Sequence, residues 1–97
     1  MRESTIEAHL VKRVKELGGE VRKVQWLGRK GAPDRLVMLP LCGRYGRDGT
    51  VCTFWVELKA PGEKAKPHQK REHDRMREMG QRVVVIDSIE GVEELLS

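Results

Sequence analysis

Val51-Cys52-Thr53-Phe54-Trp55-Val56-Glu57-Leu58-Lys59, read together with Pro33-Asp34-Arg35-Leu36-Val37-Met38-Leu39-Pro40-Leu41, decides the fold of this chain. Both runs are strand-sized and apolar, and the turn-rich segment Gly43 to Gly49 between them predicts a hairpin of Arg35 to Leu41 with Val51 to Leu58. With Gly43 to Asp48 as the connection, Cys42 faces Gly49, and the same register sets Asp34 opposite Glu57. Facing residues on antiparallel strands point the same way, with Cβ atoms about 4.5–5.5 Å apart. Side chains alternate along a strand, so Glu57 and Lys59 share a face. Two carboxylates side by side repel one another and lose water, an arrangement that gains chiefly when a hard cation sits between them. The hairpin therefore predicts a metal site.

Outward from the hairpin, the remaining elements follow from periodicity and punctuation. Ser4, with Glu7 three residues on, has the pattern of a capping box. Ile6, Leu10, Val11, Val14 and Leu17 then recur at helical spacing until Gly18 and Gly19. Glu20 to Leu27 is expected as a first strand, with Val21, Lys23 and Gln25 on one face and Arg22, Val24 and Trp26 on the other. Gly28 to Pro33 is a glycine-rich basic loop and Ala60 to Lys66 a polar one. Pro67 opens a charged helix to about Met79, stopped by Gly80, Val83 to Ile86 is a short buried strand, and Ser88 caps a last helix through Leu96. The order is α-β-β-β-α-β-α. A strand that follows a helical crossover after a hairpin implies an α/β fold with a mixed central sheet flanked by helices. Residues 1–97 make a single domain, without repeats or a linker.

Composition bounds the function more loosely. A formal charge of +4 and a pI near 9.3 favour an anionic partner. No stretch resembles a signal peptide or a membrane span, so a soluble, cytoplasmic protein with no membrane partner is expected. Cys42 and Cys52 cannot complete a four-ligand zinc site, and the three histidines show no metal spacing relative to them. Both thiols are expected as small buried groups flanking the hairpin, with a disulfide between them left open. His68 and His73 are expected as ordinary surface or helix-packing residues.

Three acids and one lysine are candidates for chemistry. Glu57 and Lys59 interrupt a strand whose two faces are otherwise largely apolar, although a simple ion pair between them would also account for both. Asp34 alone would pass as a turn residue, since Pro-Asp pairs often bond the loop backbone. Glu7 has two readings of equal weight. It is either the third position of the capping box, or an acid on an inward helix face pointing toward Asp34 and Glu57. The coincidence of Asp34, Glu57 and Lys59 on one face favours a site.

These residues, in this order, resemble the PD-(D/E)XK nuclease superfamily and within it the VRR-NUC family of small nuclease domains, including its standalone phage versions. The resemblance rests on Glu7 in the first helix, Gly31-Ala32-Pro33-Asp34-Arg35, Glu57-Leu58-Lys59 and Gln69, and it spans nearly the whole chain. It implies a restriction-endonuclease-like core and hydrolysis of DNA phosphodiester bonds. It also implies Mg²⁺ or Mn²⁺ on Asp34, Glu57 and the backbone carbonyl of Leu58. Lys59 would orient or activate the attacking water, Glu7 would bind a second ion directly or through water, and Gln69 would position Lys59 or the substrate.

Around both halves of that site lie Arg29, Lys30, Arg35, Lys64, Lys66, Lys70 and Arg71, each a solvated charge by itself and together a possible phosphate-binding surface. Trp26, Trp55 and Tyr45 offer stacking surfaces, although Trp55 reads foremost as core. Standalone family members look like junction resolvases. Branched DNA and a homodimer, one active site per strand, are therefore expected, acting in a bacterial or phage-infected cell. Two rivals remain: a non-catalytic nucleic-acid-binding module that keeps the fold, and a structural domain whose acids merely pair with Lys59 and Arg35.

Overall fold

The computed structural model describes residues 1–40 and 52–97 and orders its elements as α1 (Glu3–Glu16), β1 (Glu20–Lys23), β2 (Arg35–Leu39), β3 (Cys52–Leu58), α2 (Pro67–Glu78), β4 (Val83–Ile86) and α3 (Ile89–Leu96). The sequence order α-β-β-β-α-β-α is therefore the observed one. The four strands form one sheet in the order β1-β2-β3-β4, with β1-β2 and β2-β3 antiparallel and β3-β4 parallel. The parallel pair requires a crossover, which α2 supplies. No helix among the described residues is long and apolar enough to cross a membrane.

The β2-β3 register runs from Arg35 opposite Val56 to Leu39 opposite Cys52, as expected. One step further along it sets Asp34 level with Glu57. The expected hairpin turn, the Cys42–Gly49 pair, Tyr45 and the ends of β2 and β3 at Leu41 and Val51 lie outside the described residues. Cys52 is disulfide-bonded, where a free buried thiol was the favoured expectation.

Alternation along β3 separates two faces. Cys52, Phe54, Val56 and Leu58 are buried with Val37 and Leu39 of β2, Ile6, Leu10 and Val14 of α1, Ile86 of β4, and Val92, Leu95 and Leu96 of α3. Thr53, Trp55 and Glu57 take the opposite, half-buried face, where Glu57 meets His73 of α2.

Two local expectations fail for identifiable reasons. The capping box is not formed: α1 begins one residue before Ser4, and Arg2 is the N-cap, with no side-chain hydrogen bond. Ser4 is already helical, so its hydroxyl cannot take the cap position. The first strand also ends at Lys23 instead of Leu27. Val24 N–H still donates to the Asp34 carbonyl at 2.9 Å, one step beyond the last paired residues, Lys23 opposite Arg35. Trp26 instead donates from Nε1 to the Pro33 carbonyl at 2.7 Å and packs obliquely on Trp55, ring centroids 5.1 Å apart. At the other end of the molecule Ser88 does cap α3, accepting from Gly91 N–H at 2.9 Å.

Candidate active site

Asp34 leaves the Gly28–Pro33 loop just before β2, and Glu57 is the penultimate residue of β3. The Glu57 pKa is pushed up to about 7, first by burial and then by the Asp34 charge, against the lowering effect of Lys59. Only Glu57 is drawn out of water; Asp34 is exposed and acts on it through its charge. Lys59 follows on that face and is only 9% exposed, its N–H bonded to the Ile86 carbonyl at 2.9 Å. Its charge favours the ionised form of Glu57.

Glu7, half-buried, faces the sheet and meets Arg35 of β2. Arg35 points toward α1 and donates from Nε to Glu7 Oε2 at 2.5 Å, with a second contact from Nη2. Its Nη1 reaches Asp34 Oδ1 at 2.9 Å. Arg35 thus links Glu7 to Asp34 around the end of the sheet. Glu3, one turn nearer the helix start, adds to the negative field that Glu57 feels. Neither the pairing of Glu7 nor the contribution of Glu3 was legible in the sequence, because both depend on where α1 crosses the sheet.

The loop that delivers Asp34 is fastened to α2. Gly31 has φ +84°, and a methyl group there would sit 2.8 Å from the His68 carbonyl oxygen, so a side chain is excluded both by conformation and by space. Arg29 Nη1 lies 3.6 Å from Glu72 Oε1. Gln69, expected to act on Lys59 or substrate, accepts the Lys66 N–H at Oε1 (2.9 Å) and so closes the N-terminus of α2. His73, expected at the surface or in plain helix packing, is 1% exposed, with Nε2 3.6 Å from Glu57 Oε1. Burial and then Arg77 lower its pKa, while the nearby Gly31 backbone works the other way. Its position five residues beyond His68 gave no signal of this, since α2 is charged nearly all round.

The donor set suits a hard cation. Among the described residues no three His, Cys, Asp or Glu side chains cluster as a metal-holding group. A Mg²⁺-like ion asks for less: one or two carboxylates, with water, backbone carbonyl and phosphate oxygens completing its shell. An ion there would favour the ionised Glu57 that burial and the Asp34 charge disfavour.

Basic residues surround this point unequally. Lys30, Lys64 and Lys66 are exposed, Lys70 pairs with Asp74 at 3.2 Å, and Arg29 and Arg35 are held by Glu72 and by Glu7 with Asp34. An open cleft of about 620 Å³ runs from Asp34 and Arg35 past Arg29 and Trp26 to Lys23, the last not singled out by the sequence for phosphate contact.

Over 88 residues the chain is 47% identical to a protein described as "Putative nuclease p44" from Acyrthosiphon pisum secondary endosymbiont phage 1, covering 91% of the chain and 85% of that relative. A solved VRR_NUC domain superposes with a TM-score of 0.77 at 40% identity, covering 96% of this chain and 91% of that one. A second solved VRR_NUC domain protein, at 18% identity, shares the fold with a TM-score of 0.66 over 98% of this chain and 84% of its own. No family model matches the chain.

Proposed function

The chain belongs to the VRR-NUC family, and from that premise we propose that it is a metal-dependent endonuclease that hydrolyses DNA phosphodiester bonds. The observation that carries the proposal is the Asp34–Glu57 pair, with Glu57 pushed up to about 7 beside a buried Lys59. Mg²⁺ or Mn²⁺ on Asp34, Glu57 and the Leu58 carbonyl would supply Lewis acidity to the scissile phosphate and acidify a bound water.

The chain's own groups do the rest. Lys59 orients the attacking water and offsets the charge that gathers on the phosphate oxygens. Water adds to phosphorus in line as the bond to the leaving oxygen breaks, with inversion at phosphorus. Gln69, whose Oε1 accepts the Lys66 N–H, keeps the second lone pair of that oxygen for the Lys59 ammonium and its carboxamide N–H groups for a substrate oxygen. Glu7 is the acid that a second ion, directly or through water, would draw from Arg35. Arg29, Lys30, Arg35, Lys64, Lys66 and Lys70 hold the phosphates, with Lys23 added by the cleft.

The finer proposal is a structure-selective enzyme on branched DNA, a Holliday-junction resolvase acting as a homodimer in the cytoplasm of a bacterial or phage-infected cell. A domain of 97 residues carries one such site, so paired strand cuts need two copies. Light scattering that finds only monomer at micromolar concentration, with and without junction DNA, would remove the dimer.

A non-catalytic nucleic-acid-binding module is the second reading, favoured by one observation: Arg35 already occupies Asp34 at 2.9 Å. Cleavage of labelled duplex, flap, single-stranded and four-way-junction DNA with Mg²⁺, Mn²⁺ or EDTA separates the two. Metal-dependent cuts lost in Asp34→Asn and Lys59→Ala support the nuclease, whereas binding without cutting on every substrate supports the module.

A further inference from the structure

The geometry points to His73 as a positioning residue for Glu57: its imidazole, buried between α2 and β3, steadies one carboxylate oxygen and leaves the other for a divalent cation. This rests on the reading of Asp34 and Glu57 as a metal-binding pair. Nε2 of His73 is a fully buried side-chain nitrogen with no hydrogen-bond partner among the described residues. Buried polar atoms are almost always paired, so an unpaired one calls for a reason. Its nearest acid is Glu57, with Oε1 3.6 Å away. That is just outside the usual 2.7–3.2 Å or so of an N···O hydrogen bond, and rotation of the carboxyl group about its terminal torsion can close the gap. The bond is available in either proton arrangement, from a carboxyl hydroxyl to Nε2 or from an Nε2–H to the carboxylate.

The Gly31 backbone, three residues before Asp34, lies near enough to the same ring to raise its pKa. His73 therefore lies beside both arms that bring the acids together, the loop carrying Asp34 and the strand carrying Glu57. Residues that orient a metal ligand without touching the metal commonly matter about 10–100-fold in affinity.

Mn²⁺ titration by calorimetry, paired with thermal denaturation of the metal-free protein, tests this on wild type, His73→Phe and His73→Gln. His73→Phe is expected to keep or raise the metal-free Tm, since an apolar ring replaces an unpaired nitrogen, yet weaken Mn²⁺ binding about 10–100-fold. His73→Gln, whose amide still reaches toward Glu57, is expected to restore most of that affinity. A purely packing role predicts unchanged Mn²⁺ affinity for His73→Phe, whose ring fills the same space. Should His73→Phe fail to fold, His73→Asn, too short to reach Glu57, serves as the deficient variant. Wild-type affinity in the deficient variant, or equal losses in it and His73→Gln, overturns the positioning role. Absence of Mn²⁺ binding by wild type overturns the metal site and this role with it. Normal Mn²⁺ behaviour throughout without any DNA cleavage overturns the nuclease alone.

Discussion

The face of the sheet under α1 and α3 and the face that meets α2 are made from the same strands but bury opposite chemistries. Under α1 and α3 the fully covered groups are hydrocarbon: Ile6, Leu10, Val14, Val37, Val56 and Val92 are all at 0% exposure. Toward α2 the covered groups include Lys59, Glu72 and His73, with Glu57 beside them. Each buried aliphatic side chain contributes about 1.5–3 kcal/mol, whereas a buried ionisable group costs free energy unless paired. One face thus supplies the stability against which the other holds groups that would gain by reaching water. Along β3 the change of chemistry takes a single residue, from Val56 to Glu57. Variants on the two faces should therefore separate activity from stability.

The largest effect is expected at the acids. Asp34→Asn or Glu57→Gln should lower metal-dependent cleavage by ~10³-fold or more, because the metal's contribution to the barrier is several kcal/mol. Glu57→Gln should leave the metal-free Tm unchanged or higher, since it removes a carboxylate that burial and Asp34 disfavour. Phe54→Ala, on the other face, should cost about 3–5 kcal/mol of stability in denaturant titration while sparing cleavage per folded molecule. A Glu57→Gln chain that unfolds, or a Phe54→Ala chain that folds but cannot cut, would break the division between the faces.

A pH titration sharpens the same comparison without changing the core. The folded Glu57 pKa, about 7, lies above the ordinary 4.5, so between those values the native state binds more protons than the unfolded one. Its stabilising contribution is complete below about pH 4.5 and is lost as pH rises toward 7, by up to about 3 kcal/mol. Denaturant titrations of metal-free wild type and Glu57→Gln from pH 5 to 8 should show this decline in the wild type alone. Added Mg²⁺ should oppose it, by favouring the ionised carboxylate. Parallel pH profiles for the two proteins would mean that Glu57 ionises without penalty.

How much of this was legible depended on the range of the interaction. The β2-β3 register, and with it the placing of Asp34 level with Glu57, could be read because a hairpin is local and period-two alternation fixes its faces. The mixed sheet followed from the order of elements. The Glu7–Arg35 pair spans 28 residues, and the contact between His73 and Glu57 depends on how α2 packs. No periodicity reports either contact. The first strand was overextended because Val24-Gln25-Trp26 has strand-like composition, whereas in the fold β1 ends at Lys23 and the Trp26 indole turns to the Pro33 carbonyl. The VRR-NUC resemblance carried the site further than spacing could, but it gave no hint that Arg35 joins Glu7 to Asp34.

The smallest expected effect concerns two serines that look alike in sequence. Ser88 has extended backbone angles, φ −155° and ψ 158°, and its hydroxyl accepts the Gly91 N–H. Ser88→Ala should therefore cost about 1 kcal/mol, readable as a lower denaturation midpoint at constant m-value. α3 is only eight residues long and carries Val92, Leu95 and Leu96 into the core, so fraying at its start is transmitted to the face that stabilises the molecule. Ser4 sits inside α1, where a hydroxyl competes weakly with the helix and alanine is the better helix former. Ser4→Ala should be neutral or stabilising by a few tenths of a kcal/mol. Equal losses at both serines would mean that α1 in solution starts at Ser4, restoring the capping box with Glu7 and freeing Arg35 for Asp34 alone.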